Sequence, residues 1–302
     1  MADMLTMLRE AAQEDCVREQ ESMKKHTTFR IGGPTDYFAA PTTVEGVCGI
    51  VRLCRRLGYP FTVIGNGSNL LVSDQGYRGV MLQLYKNVSK ITVDRDSCGI
   101  SAEAGAMLSV IAKRAMEAGL TGLEFASGIP GTLGGAVVMN AGAYGGEMKD
   151  VLVSATVLTV EGEICEIPAS ELALGYRRSA VPGNSWIVLG AALALREGDQ
   201  KQIRNRMEEL KAQRISKQPL DVPSAGSTFK RPEGYFAGKL IMDAGLRGYR
   251  VGGAQVSEKH CGFVVNCGDA TAADVRQLIA DVQERVRERF GVTLEPEIKM
   301  IG

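Results

Sequence analysis

The sequence predicts an α+β chain of more than one domain, and three observations carry that expectation. Helical and extended segments are mixed along its whole length. A strand-like stretch, 186–195, gives way at Glu197-Gly198-Asp199 to a charged helix, so the composition changes there. At 302 residues, the chain has also reached the size at which a single hydrophobic core stops growing. The division falls at 198/199, with 1–198 (an N-terminal helix included) as one region and 199–302 as the other.

The elements follow in order. Val44, Val47, Ile50, Val51 and Cys54 recur at helical spacing within 43–57, and Gly58 is the stop signal. A short strand, 61–64, leads into a glycine loop, and Leu70, Leu71 and Val72 run on as a second extended segment. Residues 153–160 and 164–167 flank Glu161-Gly162-Glu163 and read as a hairpin. After the charged helix 200–215, the clearest element is 271–290, where Val275, Leu278, Ile279, Val282, Val286 and Phe290 share one face. Thr271 with Asp274 resembles a capping box, and Gly291 ends the helix.

Composition excludes several function classes. Lys plus Arg and Asp plus Glu balance at 35 each, so no global field holds the chain on nucleic acid or an anionic membrane. Anionic ligands must therefore be gripped locally. The longest apolar stretch, 187–195, is far too short to span a bilayer, and acidic residues interrupt the N-terminus where a signal peptide needs an apolar run. The chain reads as cytoplasmic, with no membrane insertion. Its seven cysteines include no Cys-x-x-Cys and its histidines are only His26 and His260, so no metal site is expected. Most thiols read as small buried hydrophobes.

Two glycine segments carry the chemistry. In the first, Gly65-Asn66-Gly67-Ser68-Asn69-Leu70, the third glycine and following helix of a dinucleotide-binding unit are missing. What remains is a loop whose successive N–H groups can face a pyrophosphate, with Ser68 and Asn69 as extra donors; the alternative is an ordinary strand-to-strand turn. The second runs from Glu124 to Gly146 and contains Ser127-Gly128-Ile129-Pro130-Gly131, Gly134-Gly135 and Asn140-Ala141. So much bare backbone is costly in conformational entropy unless something flat or close-packed lies against it. A flavin ring and ribityl chain fit; the alternative is a tightly packed helix crossing.

These segments are followed by Gly175-Tyr176-Arg177-Arg178-Ser179, then Ala225-Gly226-Ser227-Thr228-Phe229-Lys230-Arg231-Pro232, then Leu294-Glu295-Pro296-Glu297-Ile298-Lys299. In that order, from about residue 28 onward, the chain resembles the UDP-N-acetylenolpyruvoylglucosamine reductases, and its compact 227–253 stretch is similar to their shorter, type II branch. The resemblance implies an FAD-binding fold of the vanillyl-alcohol oxidase type in two subdomains, plus a C-terminal α/β domain for substrate. It implies noncovalent FAD, since no cysteine lies within the glycine segments and His26 lies outside them, and NADPH as hydride donor.

The resemblance also assigns roles. Arg177 would stabilise an enolate-like intermediate, Glu297 would polarise it, and Ser227 would protonate carbon; beyond what the resemblance implies, a neighbouring cation such as Lys230 suits the transient serine alkoxide on chemical grounds. Arg214 and Lys217 precede the serine motif where the family grips a diphosphate, Lys217 being the better placed. Arg231 departs from the Lys-Asn-Pro of longer members, although a cation there suits a diphosphate or carboxylate. Tyr235 and His260 are pocket candidates, each with packing as its alternative. The substrate implied is UDP-N-acetylglucosamine enolpyruvate, in peptidoglycan precursor synthesis. An FAD oxidase of an alcohol or sugar, and a flavin-binding regulator without turnover, are the competing readings.

Overall fold

The structure is a computed structural model describing residues 3–302. Seven α-helices occur among these residues: α1 (Met4–Ala12), α2 (Val44–Leu57), α3 (Leu108–Glu117), α4 (Leu133–Met139), α5 (Gln200–Lys217), α6 (Ala237–Asp243) and α7 (Ala272–Phe290). By compactness the chain divides in two. One unit comprises the N-terminal residues to Glu19, Tyr37–Asn66 and Gly79–Arg214; the other comprises Gln20–Asp36, Gly67–Arg78 and Ile215–Gly302.

In the first unit a five-stranded antiparallel sheet has the order Ile164–Pro168, Leu152–Leu158, Ile187–Ala194, Gly99–Glu103, Ile91–Asp94. The expected hairpin supplies two of these strands, and Gly162 turns it at φ +88°. α3 and α4 pack on this sheet and α1 packs on α2. α2 starts where Thr43 accepts from Gly46 N–H and stops at Gly58 in the left-handed conformation. Its buried stripe of Val47, Ile50, Val51 and Cys54 is the face the period gave. Phe61–Ile64 is a strand paired in parallel with Val80–Gln83.

The second unit contains an antiparallel sheet ordered Ser224–Ser227, Phe263–Asn266, Ala254–Val256, Arg250–Val251. α7 packs against the last two of these strands and against α6. It has the expected capping box from Thr271 and Asp274, and Gly291 closes it at φ +67°. Asp74 adds a second cap by accepting from Ala272 and Ala273 N–H. Val275, Leu278, Ile279, Val282 and Val286 are buried, while Phe290 in the last turn is half-buried. Leu70–Val72 pairs in parallel with Lys299–Ile301.

The predicted α+β class holds, but the cysteine expectation holds only for Cys48, Cys54 and Cys261, which are buried. Burial pushes the Cys54 thiol up to about 11. Cys267 is exposed, because it lies just past the strand Phe263–Asn266. No helix among the described residues is long and apolar enough to cross a membrane.

Candidate active site

Within the first unit, the first two residues of the first glycine segment, Gly65 and Asn66, meet the second segment and its neighbours. Asn66 donates from Nδ2 to the Pro130 carbonyl at 2.7 Å, and the Gly65 carbonyl accepts from Gln83. A Cβ on Gly65 would lie 2.1 Å from Thr132 Oγ1, so no other residue fits. The second segment is not all loop, since α4 occupies its centre. Its glycines fall into two groups. A Cβ on Gly134 would meet Ala104 at 2.9 Å, and one on Gly142 or Gly146 would meet the Gly146 carbonyl or the Phe125 ring at 2.7 Å. The tight-packing alternative therefore explains these three. Gly135, in the first turn of α4, is exposed and has nothing nearer than Thr132 Oγ1 at 4.0 Å.

Glycine in a helix costs about 1 kcal/mol against alanine, and neither packing nor a positive φ explains it at Gly135. Exposed Gly128 is bordered by Arg214, whose Cδ would be 3.1 Å from a Cβ there. Arg214 is half-buried and has no hydrogen bond or ion pair among the described residues. Burial pulls its guanidinium below the ordinary value, and the Tyr144 hydroxyl opposes that pull. A desolvated, unpaired cation beside bare outward-facing backbone fits an anionic, flat cofactor such as FAD. Ile129 and Ala141 are half-buried, and the Ser127 hydroxyl is spent on the Glu124 carbonyl.

Asn140 differs from its neighbours. It is 1 % exposed and caps α4 at φ +41°. Its Nδ2 donates to Glu147 at 2.7 Å and to the Gly175 carbonyl at 3.1 Å, while Oδ1 accepts from Lys149 N–H at 2.8 Å. Both donors are used within the protein.

Arg177 stands in a tight turn in which Gly175 and Arg178 exchange N–H···O bonds of 3.1 and 3.2 Å. Its φ is +54°, a conformation that costs a non-glycine residue about 1–3 kcal/mol. The guanidinium lies 5.3 Å from the Tyr176 ring centroid and donates to the Gly142 carbonyl at 3.3 Å. Arg178 is the more exposed of the pair.

In the second unit, Ser227 ends an edge strand. Gly226 at φ +76° interrupts the register there. The serine is exposed and its hydroxyl has no hydrogen-bond partner among the described residues. Glu297 N–H donates to the Thr228 carbonyl at 2.8 Å, and the Glu297 carbonyl accepts from Asn69 Nδ2 at 3.1 Å. The serine motif, the glutamate motif and Asn69 thus share one local frame. Gly67, at φ +65°, packs its Cα where a Cβ would lie 2.1 Å from the His26 carbonyl. Ser68 and Leu70 are half-buried beside it in sequence.

The Lys230 ammonium, expected to help the serine, is paired with Glu295. Arg231 donates to the Tyr235 carbonyl and stacks 3.9 Å from the Phe236 ring centroid; Tyr235 itself is exposed. His260 accepts on Nδ1 from Gly262 N–H and meets the Phe263 ring edge-on at 5.0 Å. Burial lowers its pKa, so it is neutral at pH 7 and brings no charge to a diphosphate. Lys217 is exposed, with no ion pair among the described residues. Next to it, Gln218 has a buried Oε1 without a donor, an acceptor that sequence reasoning passed over because glutamine has no distinctive spacing.

Residues 35–168 match the family described as FAD binding domain, and 218–301 match the family described as UDP-N-acetylenolpyruvoylglucosamine reductase, C-terminal domain. A UDP-N-acetylenolpyruvoylglucosamine reductase of Agathobacter rectalis is 59 % identical, over 94 % of this chain and 93 % of its own length. One from Caldanaerobacter subterraneus is 51 % identical over 100 % and 99 %. The crystal structure of UDP-N-acetylenolpyruvylglucosamine reductase from Thermus caldophilus superimposes with a TM-score of 0.81 at 38 % identity, covering 95 % of this chain and 100 % of that one.

Proposed function

The chain belongs to the UDP-N-acetylenolpyruvoylglucosamine reductase family and is an FAD-containing oxidoreductase; on that premise we propose that it oxidises NADPH and reduces UDP-N-acetylglucosamine enolpyruvate to UDP-N-acetylmuramate in peptidoglycan precursor synthesis. Residues 1–198, together with Arg214, would bind the flavin and the remainder of 199–302 the UDP-sugar, in the cytoplasm. The observation that carries the catalytic part is the serine: an exposed hydroxyl without a partner, set by a glycine-induced irregularity and tied locally to the Glu297 backbone through Thr228.

FAD, when bound, supplies hydride for the terminal carbon of the enol ether. The charge that develops on the substrate carboxylate needs a permanent cation, and Arg177 provides one with a planar fork suited to a carboxylate. Glu297, protonated or hydrogen-bonded, polarises the same group. Ser227 gives its proton to the adjacent carbon, and the hydroxyl is restored from solvent, which completes the addition of hydride and proton. Lys217 takes the diphosphate. Arg214, set against Gly128, is assigned to the flavin instead of the UDP group for which the sequence nominated it.

The test separates the half-reactions by stopped flow. Purified protein should be yellow and release FAD on denaturation. NADPH should bleach it, and the enol ether should restore the colour. In Ser227→Ala, flavin reduction should stay normal while reoxidation by the enol ether slows about 10²- to 10⁴-fold. Equal slowing of both steps at normal FAD content, or of neither, sinks the proton-donor role.

A further inference from the structure

The geometry points to Asn140 as a positioning residue for Arg177, a role that rests on the function assigned to Arg177 above. Three residues at alternate positions of the second glycine segment hold the arginine turn. The Val138 carbonyl accepts from Ser179 Oγ at 2.8 Å, Asn140 Nδ2 donates to the Gly175 carbonyl at 3.1 Å, and the Gly142 carbonyl accepts from Arg177 Nη2 at 3.3 Å. Asn140 is the central rung and the only one that reaches out with its own side chain.

The Gly175 carbonyl is the acceptor that closes the turn with Arg178 N–H, so Asn140 fixes the point from which Arg177 departs. A turn with an arginine at φ +54° is not held by local preference and needs such an outside brace. Asparagine suits the position on three counts. It tolerates the left-handed cap of α4, supplies two donors for Gly175 and Glu147, and keeps an acceptor for Lys149 N–H. A carboxylate would lose the donors and confront Glu147 at the same distance.

Glycine at 140 preserves the helix cap and removes the brace together with the local side-chain bonds to Glu147 and Lys149 N–H. In flavin-loaded Asn140→Gly, FAD content and reduction by NADPH should be unchanged, while reoxidation by UDP-N-acetylglucosamine enolpyruvate slows about 10- to 100-fold, the scale of a misplaced catalytic group. Added to Arg177→Ala, the same change should slow reoxidation less than about twofold further, as expected of residues acting through one another. Asn140→Ser, too short to reach the Gly175 carbonyl and bringing no charge against Glu147, is the second variant should the glycine protein fail to load flavin, with the same expectations. Normal reoxidation in the loaded variant, or an effect that multiplies in full upon Arg177→Ala, overturns the assignment to Asn140 alone. A silent Arg177→Ala removes the underlying role of the arginine and this one with it.

Discussion

Residues 128–135 and 140–146 are both rich in glycine, with four in eight residues and three in seven, yet they use it for opposite purposes. In the first stretch Gly128 and Gly135 face outward, and the space beside Gly135 is open. In the second, Gly142 and Gly146 are closed on protein atoms in a short hairpin, and the Gly142 carbonyl is spent on the Arg177 guanidinium. The lesson is that a glycine signals a ligand only when nothing of the protein occupies the place of its missing side chain. Gly134 and Gly135 make the point in adjacent positions.

Three substitutions can break or sharpen that contrast. The largest effect should come from Gly146→Val, which drives a branched side chain into the Phe125 ring; overpacking costs about 1–3 kcal/mol, and thermal melting should fall by several degrees. An unchanged melting temperature would mean the second stretch is not closed. Next, Arg214→Met should weaken FAD binding about tenfold or more, in line with loss of a charged hydrogen bond, while leaving the affinity for the UDP-sugar as it was. The reverse pattern would return Arg214 to the diphosphate beside Lys217. Smallest, Gly135→Ala should stabilise the flavin-free protein by up to about 1 kcal/mol and yet reduce its FAD content. Retention of full FAD content would reassign Gly135 to chance.

Acid gives a further, weaker handle. Because burial depresses the His260 pKa below 6.5, the neutral ring is the form the fold prefers. The stability it contributes is complete above that value and is lost as pH falls through its folded pKa. The drop in melting temperature between pH 7.5 and about 5 should therefore be smaller in His260→Gln, and equal drops would remove histidine from the account.

Much of the fold could be read from residues alone where local signals were redundant. α7 announced itself by period, capping box and terminal glycine together, and α2 by its stripe and stop. α4 was hidden because Gly134 and Gly135 argue against a helix; burial of Leu133, Ala136 and Val137 overrides that preference. The pairing of Lys230 with Glu295 was equally silent, since 65 residues separate the partners. So was the discontinuity of the second unit. A cut at 198/199 reads a composition change, whereas 20–36 and 67–78 join residues 215–302 through pairings such as Leu70 with Lys299, which leave no mark on composition. At the site, the motif residues Ser227 and Glu297 were visible, but the brace at Asn140 was not, because it depends on which carbonyl lies opposite.

The parallel pairing of Leu70–Val72 with Lys299–Ile301 also sets a timetable for synthesis. Every long-range contact of the first unit is available once Arg214 has emerged, so that unit can condense while translation continues. The second cannot complete its parallel ladder until residue 301 leaves the ribosome, and Leu70–Val72 must meanwhile wait as an unpaired strand. Loop closure over so long a span is slow, and an exposed apolar strand is a site for wrong pairing. Expression at low temperature or with chaperones should accordingly raise the yield of native protein more than added FAD does.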